Sequence, residues 1–337
     1  MLGRVSQATG YAMLVELYLN AEKWYGQPRW DDCIAAADKL ISGDGGGLNG
    51  AMELDPNIKD AYVPTNDLSK ETIFSIAYDY KKADFSAGFP SEFYHFVQSE
   101  IYGGGRNGNN GIVLVPGVFG QYAANDLRKK EWFLSGPMVK FVDGKMVEGS
   151  EEYKGEQLVF VDYIRRAKSG GTSSTMSDGE ENSGIRFNKY KIGNNVEGNV
   201  NGVVIPVNEN YNNTDWNVYR LSWIYFAKAE ALMRKSGGTA SQVAVDLINM
   251  CKKRAFADAD WAAAQYNTST LTLDELLAER GREFIFEGFR RRDLIRFGKF
   301  HTATWWDHKP TAENKTVFPI PQQQISMNPN LKQNPGY

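Results

Sequence analysis

The stretch from Glu279 to Gly298 reads Glu-Arg-Gly-Arg-Glu-Phe-Ile-Phe-Glu-Gly-Phe-Arg-Arg-Arg-Asp-Leu-Ile-Arg-Phe-Gly. The capping pattern Thr272-Leu-Asp-Glu275 precedes it and predicts one helix that continues to about residue 298. Within the stretch six arginines are interleaved with four acids, and Glu287 stands three and four residues before two of the arginines, the favourable helical order. This mixture favours a structural network of salt bridges over a binding site for anions.

Apolar residues recur at helical spacing in two separate parts of the chain. Leu14 and Leu17 lie on one face of a helix predicted over residues 5–25, and a second helix follows before the glycine cluster that starts at residue 43. Residues 1–43 therefore resemble one helix pair of a tetratricopeptide (TPR) repeat. A second pair is predicted over residues 216–298, where the first helix is apolar almost all round and should be buried.

Residues 44–215 differ from both helical parts because Gly, Asn, Ser and Asp are frequent and helical periodicity is weak. Three runs of β-branched and aromatic residues predict short strands, at 72–78, 112–115 and 157–164. The tail over 299–337 is proline-rich and should be extended. We therefore expect a single, mainly α domain over residues 1–337. TPR-like helix pairs form its scaffold, and a large loop-rich insertion contains a few short strands.

The composition argues against several classes of protein. Lys and Arg total 38 and Asp and Glu total 41, and a net charge of −3 argues against a nucleic-acid binder. No apolar stretch approaches the roughly 20 residues of a transmembrane helix. We found no motif for a catalytic nucleophile, a metal ion or a cofactor. Gly103-Gly-Gly105-Arg-Asn-Gly108 fits the residue pattern G-x-G-x-x-G of a dinucleotide-binding motif. However, the sequence predicts no strand before it and no helix after it, and the motif needs both.

The remaining candidates for function are aromatic residues in the middle of the chain. Aromatic rings pack against the C–H faces of sugars, while asparagine side chains hydrogen-bond hydroxyl groups. Seven residues of this segment are our candidates for ligand contact: Phe85, Tyr94, Tyr102, Asn107, Asn109, Asn110 and Trp132. For any single ring, packing between the loops and the helices is the stronger interpretation. For the group as a whole, we expect at least one ring to be exposed and functional.

The stretch 279–298 also resembles a known family pattern. It is similar to the E-R-x-x-E-x-x-F-E-G-x-R-x-x-D-L-x-R-x-G helix of the SusD/RagB family. Phe318-Pro-Ile-Pro321 with the final Gln333-Asn-Pro-Gly-Tyr337 resembles that family's closing segment, and Asp126-Leu-Arg128 resembles an element of its middle region. The resemblance covers essentially the whole chain. We interpret the motif residues as structural rather than ligand-binding. They are Glu279, Arg282, Glu283, Glu287, Arg290, Asp293 and Arg296.

The resemblance implies a function. Members of this family are surface lipoproteins of the outer membrane in Bacteroidota. They bind glycans, or peptides in some members, and cover a SusC-type TonB-dependent transporter that receives the ligand. They catalyse no reaction and need no cofactor. Members usually carry a signal peptide, a lipidated cysteine and about two further N-terminal helix pairs. The resemblance therefore implies that this chain starts at the third pair and lacks the anchor.

Three alternatives to glycan binding remain open at this point. A peptide-binding member would favour exposed backbone that pairs with an extended chain. A helical-repeat scaffold that binds only protein predicts buried loop aromatics. A hydrolase could contain a pair of carboxylates that are far apart in the sequence.

Overall fold

The computed structural model describes residues 3–78, 91–97, 108–138, 141–142, 145–146, 152–165, 171–176, 179–190 and 214–337. Its helices are α1 (Gln7–Tyr25), α2 (Trp30–Ile41), α3 (Leu127–Glu131), α4 (Leu221–Lys235), α5 (Gln242–Lys253), α6 (Asp258–Ala264), α7 (Leu273–Glu283), α8 (Arg290–Arg296) and α9 (Gln322–Met327). The five-residue strands are β1 (Thr72–Ile76) and β12 (Trp216–Arg220). Two-residue strands lie between them: β2 (Phe133–Leu134), β3 (Gly136–Pro137), β4 (Phe141–Val142), β5 (Lys145–Met146), β6 (Glu152–Tyr153), β7 (Glu156–Gln157), β8 (Val159–Phe160), β9 (Ile164–Arg165), β10 (Thr172–Ser173) and β11 (Arg186–Phe187). The prediction of a mainly α fold with a few short strands is confirmed.

The first helix pair forms where the apolar spacing predicts it. The Ser6 hydroxyl accepts a hydrogen bond from the Thr9 backbone N–H at 3.2 Å and so begins α1. Gly26 ends α1 in the left-handed region with a φ of 78°. The inner face of α1 is buried, and Val15 and Leu19 belong to the same apolar cluster as residues of α2 and α4.

The second helix pair is α4 with α5. Eleven of the fifteen residues of α4 are buried, as its all-round apolar sequence predicts. Ser241 caps α5, because its hydroxyl accepts from the Ala244 N–H at 3.3 Å. The helices α1, α2, α4 and α5 share one core with parts of α7 and the segment after it.

Two segments differ from the sequence prediction. Residues 216–220, expected within a helix, form strand β12, which pairs antiparallel with β1. Aromatic and β-branched residues suit a strand, and here the pairing with β1 outweighs helical propensity. The run 112–115 forms no strand, although Leu114 N–H donates to the Ile185 carbonyl at 3.1 Å.

The predicted helix over residues 272–298 is in fact two helices. Thr272 caps α7 as predicted, with its hydroxyl accepting from the Glu275 N–H at 3.1 Å. The chain leaves the helix after Glu283, because Phe286 and Gly288 adopt φ values of 64° and 81°, and α8 then begins in a new direction.

Candidate functional site

A buried ionic network joins the C-terminal helices to the middle of the chain. Arg128, with a fully buried side chain, pairs with Asp126 at 2.8 Å, Glu279 at 2.7 Å and Glu283 at 3.1 Å. Arg220, at the end of β12, pairs with Glu71, Glu283 and Glu287 at 2.7, 3.1 and 2.8 Å. Three carboxylates around each guanidinium fix α7 against distant segments.

A second part of the network surrounds α8. Arg280 makes two hydrogen bonds of 2.9 Å to the Asp293 carboxylate, and Arg296 contacts Glu230 of α4 at 2.7 Å. Burial alone would raise the pKa of Glu230, but Arg296, Arg234 and Arg280 together outweigh burial and lower that pKa to about 2.

Six of the seven family-motif residues therefore take part in ion pairs: Glu279, Arg282, Glu283, Glu287, Asp293 and Arg296. Arg290 instead donates to the Leu277 carbonyl at 2.8 Å. The expected pairing of Glu287 with Arg290 and Arg291 along one helix does not form, because the chain turns between them. Glu287 pairs with Arg220 and with Lys189, the latter at 2.6 Å.

Two of the predicted ligand contacts lie in a second, aromatic core. Tyr94 and Trp132 are each 1% exposed, and they pack with Tyr62, Phe133 and Phe187. The Trp132 indole N–H donates to the Ile58 carbonyl at 3.3 Å, and its ring lies 3.8 Å from Lys189 Nζ. For these two rings the structure agrees with the packing interpretation, because aromatic residues of the insertion pack on one another. We therefore do not include either ring in the candidate site.

Three further candidates, Phe85, Tyr102 and Asn107, lie outside the described residues. The remaining two, Asn109 and Asn110, lie in a turn that pairs with residues 94 and 95: Gly108 N–H donates to the His95 carbonyl and Asn110 N–H donates to the Tyr94 carbonyl, both at 2.9 Å.

The turn is exposed on one side. Asn109 is exposed, and its side-chain amide donates to the Glu92 carboxylate at 2.6 Å. Phe96, on the paired segment, is 37% exposed. We call Glu92, Phe96 and Asn109 the Asn109 surface. It combines an aromatic ring with an amide and a carboxylate, the groups that contact sugar rings and hydroxyls.

Next to this surface lies a polar group of residues that sequence reasoning missed, apart from Asn110, and of which only Arg186 is buried as a whole. The Glu181 carbonyl accepts from Asn110 Nδ2 at 2.9 Å and from Arg186 Nη2 at 2.5 Å. We call Asn110, Glu180, Glu181 and Arg186 the Arg186 cluster. The only sequence signal for it is Arg186 itself, a charged residue between Ile185 and Phe187 in an otherwise buried run.

A separate groove of about 520 Å³ lies along the outer face of α1. Leu17 is 65% exposed and Trp24 53% exposed in it. The Arg29 guanidinium lies 5.1 Å from the centre of the Tyr18 ring. Helix α1 thus exposes apolar side chains on its outer face in addition to those that it buries on its inner face.

Two searches gave negative results for the part of the chain that the structure describes. None of these helices is both long and apolar enough to cross a bilayer. No group of three or more His, Cys, Asp or Glu side chains within the ranges above is arranged to hold a metal ion.

Comparison with known proteins gives consistent results. The starch-binding protein SusD of Bacteroides thetaiotaomicron is 38% identical over 135 residues, which cover 38% of this chain and 22% of that protein. A SusD superfamily protein from Parabacteroides distasonis has the same fold, with a TM-score of 0.63 at 18% identity over 99% of this chain and 64% of that one. Surface glycan-binding protein A from B. thetaiotaomicron, solved with laminarihexaose, has a TM-score of 0.62 at 19% identity over 99% and 65% of the two chains.

The part of this chain that matches the curated relative covers about a fifth of that protein's length. The chain covers less than two thirds of the length of each similar structure. The sequence profile of the SusD family matches residues 70–337, which include every motif residue of the stretch 279–298. The chain therefore belongs to the SusD family.

Proposed function

We propose that this chain binds glycans without altering them chemically, at the outer-membrane surface of a bacterium, for delivery to a SusC-like TonB-dependent transporter. The observation that carries the proposal is family membership over residues 70–337, in a family with a curated starch-binding relative. A similar structure was solved with laminarihexaose, a glucose oligomer. Oligosaccharides are therefore the ligand class to test first.

The Asn109 surface supports the proposal locally. The exposed Asn109 amide and the half-buried Glu92 carboxylate can hydrogen-bond sugar hydroxyls, and Phe96 offers part of a ring for stacking. Phe85, Tyr102 and Asn107 remain predicted contacts of the same ligand.

The state of the buried motif glutamates fits a structural role rather than a catalytic one. Glu279, Glu283 and Glu287 each pair with an arginine or a lysine. Burial would raise the pKa of Glu279, but Arg128, Arg282 and Lys252 together outweigh burial and hold that pKa far below its usual value. A general acid at neutral pH needs the opposite shift.

The test is affinity electrophoresis of the purified chain through gels that contain starch, laminarin or another neutral polysaccharide. We expect retardation by at least one of them. Asn109→Ala should weaken this retardation at least several-fold. Asn330→Ala removes an exposed amide from the C-terminal segment and should leave it unchanged. Retardation that is equal in both variants would remove the Asn109 surface from the site, and binding of peptides alone would overturn the glycan proposal.

The proposed partner and location need a separate test. In the producing bacterium, we expect the protein to be accessible to protease added to intact cells and to co-purify with a TonB-dependent transporter from solubilised outer membranes. Recovery from the cytoplasmic fraction only would contradict both.

A further inference from the structure

Two adjacent tryptophans, Trp305 and Trp306, lie at the end of a small hairpin in the C-terminal segment. Trp305 and His308 exchange backbone hydrogen bonds across the turn: the His308 N–H donates at 2.7 Å and the Trp305 N–H donates at 3.4 Å. The chain therefore reverses its direction at Trp306 and Asp307.

Trp306 has a backbone conformation that is costly for a bulky residue. Its φ is 39°, whereas glycine, asparagine or aspartate usually occupies a turn position with a positive φ. The ring is half-buried but belongs to no apolar cluster of the described residues. Its indole N–H is reached by solvent and makes no hydrogen bond within the described part of the chain. Strain of this kind occurs mainly where a side chain is needed for function.

Trp305 presents a ring that is already held in place. It is 37% exposed, and the His308 ring stacks on it with centroids 3.9 Å apart and planes 17° apart. The imidazole covers one face of the indole, so the other face and the edges account for the exposure. A ring that is fixed before binding loses little conformational freedom when a ligand stacks on it.

The surroundings of the two rings are polar rather than apolar. Five residues on either side of them or between them are exposed: Thr302, Thr304, Asp307, Lys309 and Thr311. A surface that docks a protein usually has a contiguous apolar centre with its charged groups at the rim. Rings among hydroxyls and charges suit a sugar better, because its C–H face stacks on an indole while its hydroxyls bond to the polar groups.

We propose that Trp305, Trp306 and Asp307, which we call the Trp305 tip, form a second glycan contact that shares no residue with the Asn109 surface. Trp305 stacks on a sugar ring, and the Trp306 N–H and the Asp307 carboxylate bond to its hydroxyls. This inference rests on the proposed function and adds a site to it. Two sites that bind one polysaccharide together raise the apparent affinity beyond that of either site.

The strain at Trp306 gives a test that needs no ligand. Glycine adopts a positive φ without steric cost, so Trp306→Gly should leave the urea midpoint of unfolding unchanged or raise it. Leu19→Ala removes a fully buried side chain and is the control that should lower the midpoint. A fall for Trp306→Gly as large as for this control would show that the ring supports the fold and would overturn its role in binding.

Binding at the Trp305 tip is measured by fluorine NMR of the chain labelled with fluorotryptophan. The chain has eight tryptophans, and substitution of phenylalanine at positions 24, 305 and 306 assigns the three signals that are needed. Laminarihexaose or maltohexaose should shift the signals of Trp305 and Trp306 saturably. Trp24, which is 53% exposed on α1, is the control whose signal should stay fixed. Asn109→Ala should keep the shifts.

Affinity electrophoresis measures the contribution of the ring. Trp305→Ala should weaken the retardation by the polysaccharide at least threefold, whereas Trp305→Phe keeps a ring and should recover most of it. Trp24→Ala should leave the retardation unchanged. Equal effects of Trp305→Ala and Trp24→Ala would overturn the proposal.

The outcomes separate this inference from the proposed function. Saturable binding of a hexasaccharide in calorimetry with fixed Trp305 and Trp306 signals would overturn the second site while glycan binding stands. Shifts that disappear in Asn109→Ala would show a single shared site, and shifts caused by peptides but by no sugar would assign the Trp305 tip to protein; either result overturns the inference. An absence of binding to every glycan would overturn both proposals.

Discussion

At the scale of single residues, the buried carboxyl of Asp215 gives the chain a distinct response to pH. Burial raises its pKa to about 7, and its Oδ1 accepts from the Tyr78 N–H at 2.8 Å. Because this pKa lies above the usual value of 3.8, the neutral form is favoured by folding. Its contribution to stability is complete below about pH 4 and is lost as the pH rises through about 7.

We predict that Asp215→Asn reduces this loss, since the amide oxygen can still accept from Tyr78 and the side chain no longer ionises. Urea unfolding at pH 5, 6, 7 and 8 measures the effect. The stability of the variant relative to the unmodified chain should increase with pH over this range. Asp44→Asn, at an exposed pair with Lys39, is the control and should show no such trend. Parallel curves for Asp215→Asn and the unmodified chain would contradict the raised pKa.

Arg128 is the residue whose loss should harm the fold most. Arg128→Met leaves Asp126, Glu279 and Glu283 without their shared partner in a buried site. Breaking a buried pair in this way costs about 3–5 kcal/mol. Chemical denaturation should show that loss, and Arg128→Lys should recover part of it by keeping the charge. A loss below about 1 kcal/mol would mean that water reaches the network.

At the scale of elements, the break between α7 and α8 depends on the backbone conformation of Gly288. Gly288 has a φ of 81°, and an added Cβ would meet no atom within 4 Å. Gly288→Ala should therefore cost about 1–2 kcal/mol through backbone strain alone. Gly10 also has open space around it but lies inside helix α1. Gly10→Ala should stabilise the chain by about 0.5–1 kcal/mol, and equal effects of both substitutions would contradict the assigned conformations.

Helix α1 provides a matched pair of leucines. Leu19 is fully buried on its inner face, whereas Leu17 is 65% exposed on its outer face. Leu19→Ala should lower the free energy of unfolding by about 2–5 kcal/mol, and Leu17→Ala should change it little. Thermal and urea melts measure both. A large loss for Leu17→Ala would show that the outer face of α1 is covered in solution.

Local sequence signals predict the elements well where neighbours in the chain decide the structure. The cap at Thr272 and the burial of α4 follow from patterns within a few turns of one helix. Strand β12 could not be predicted, because its partner β1 lies more than 140 residues earlier. The partners of the motif glutamates are similarly remote, since Arg128 and Glu279 are 151 residues apart.

At the scale of the whole molecule, the ionic network joins the helical core to the aromatic core. The helical core contains the two helix pairs, and the aromatic core supports the turn that carries Asn109. The ionic network connects them through Arg128, Lys189 and Arg220. The composition of the middle segment predicted a site for sugars, but it could not predict which rings would be buried, because burial depends on contacts between distant loops.

Calorimetric titration of the folded chain with oligosaccharides, followed by chromatography of the recovered sugar, tests whether the chain binds glycans without altering them. We expect saturable binding of at least one glycan, neutral or acidic, and recovery of that glycan at its original length. Shortening of the sugar would contradict binding without chemistry. An absence of saturable binding in a chain that unfolds cooperatively would contradict the assignment of a glycan-binding site to these residues.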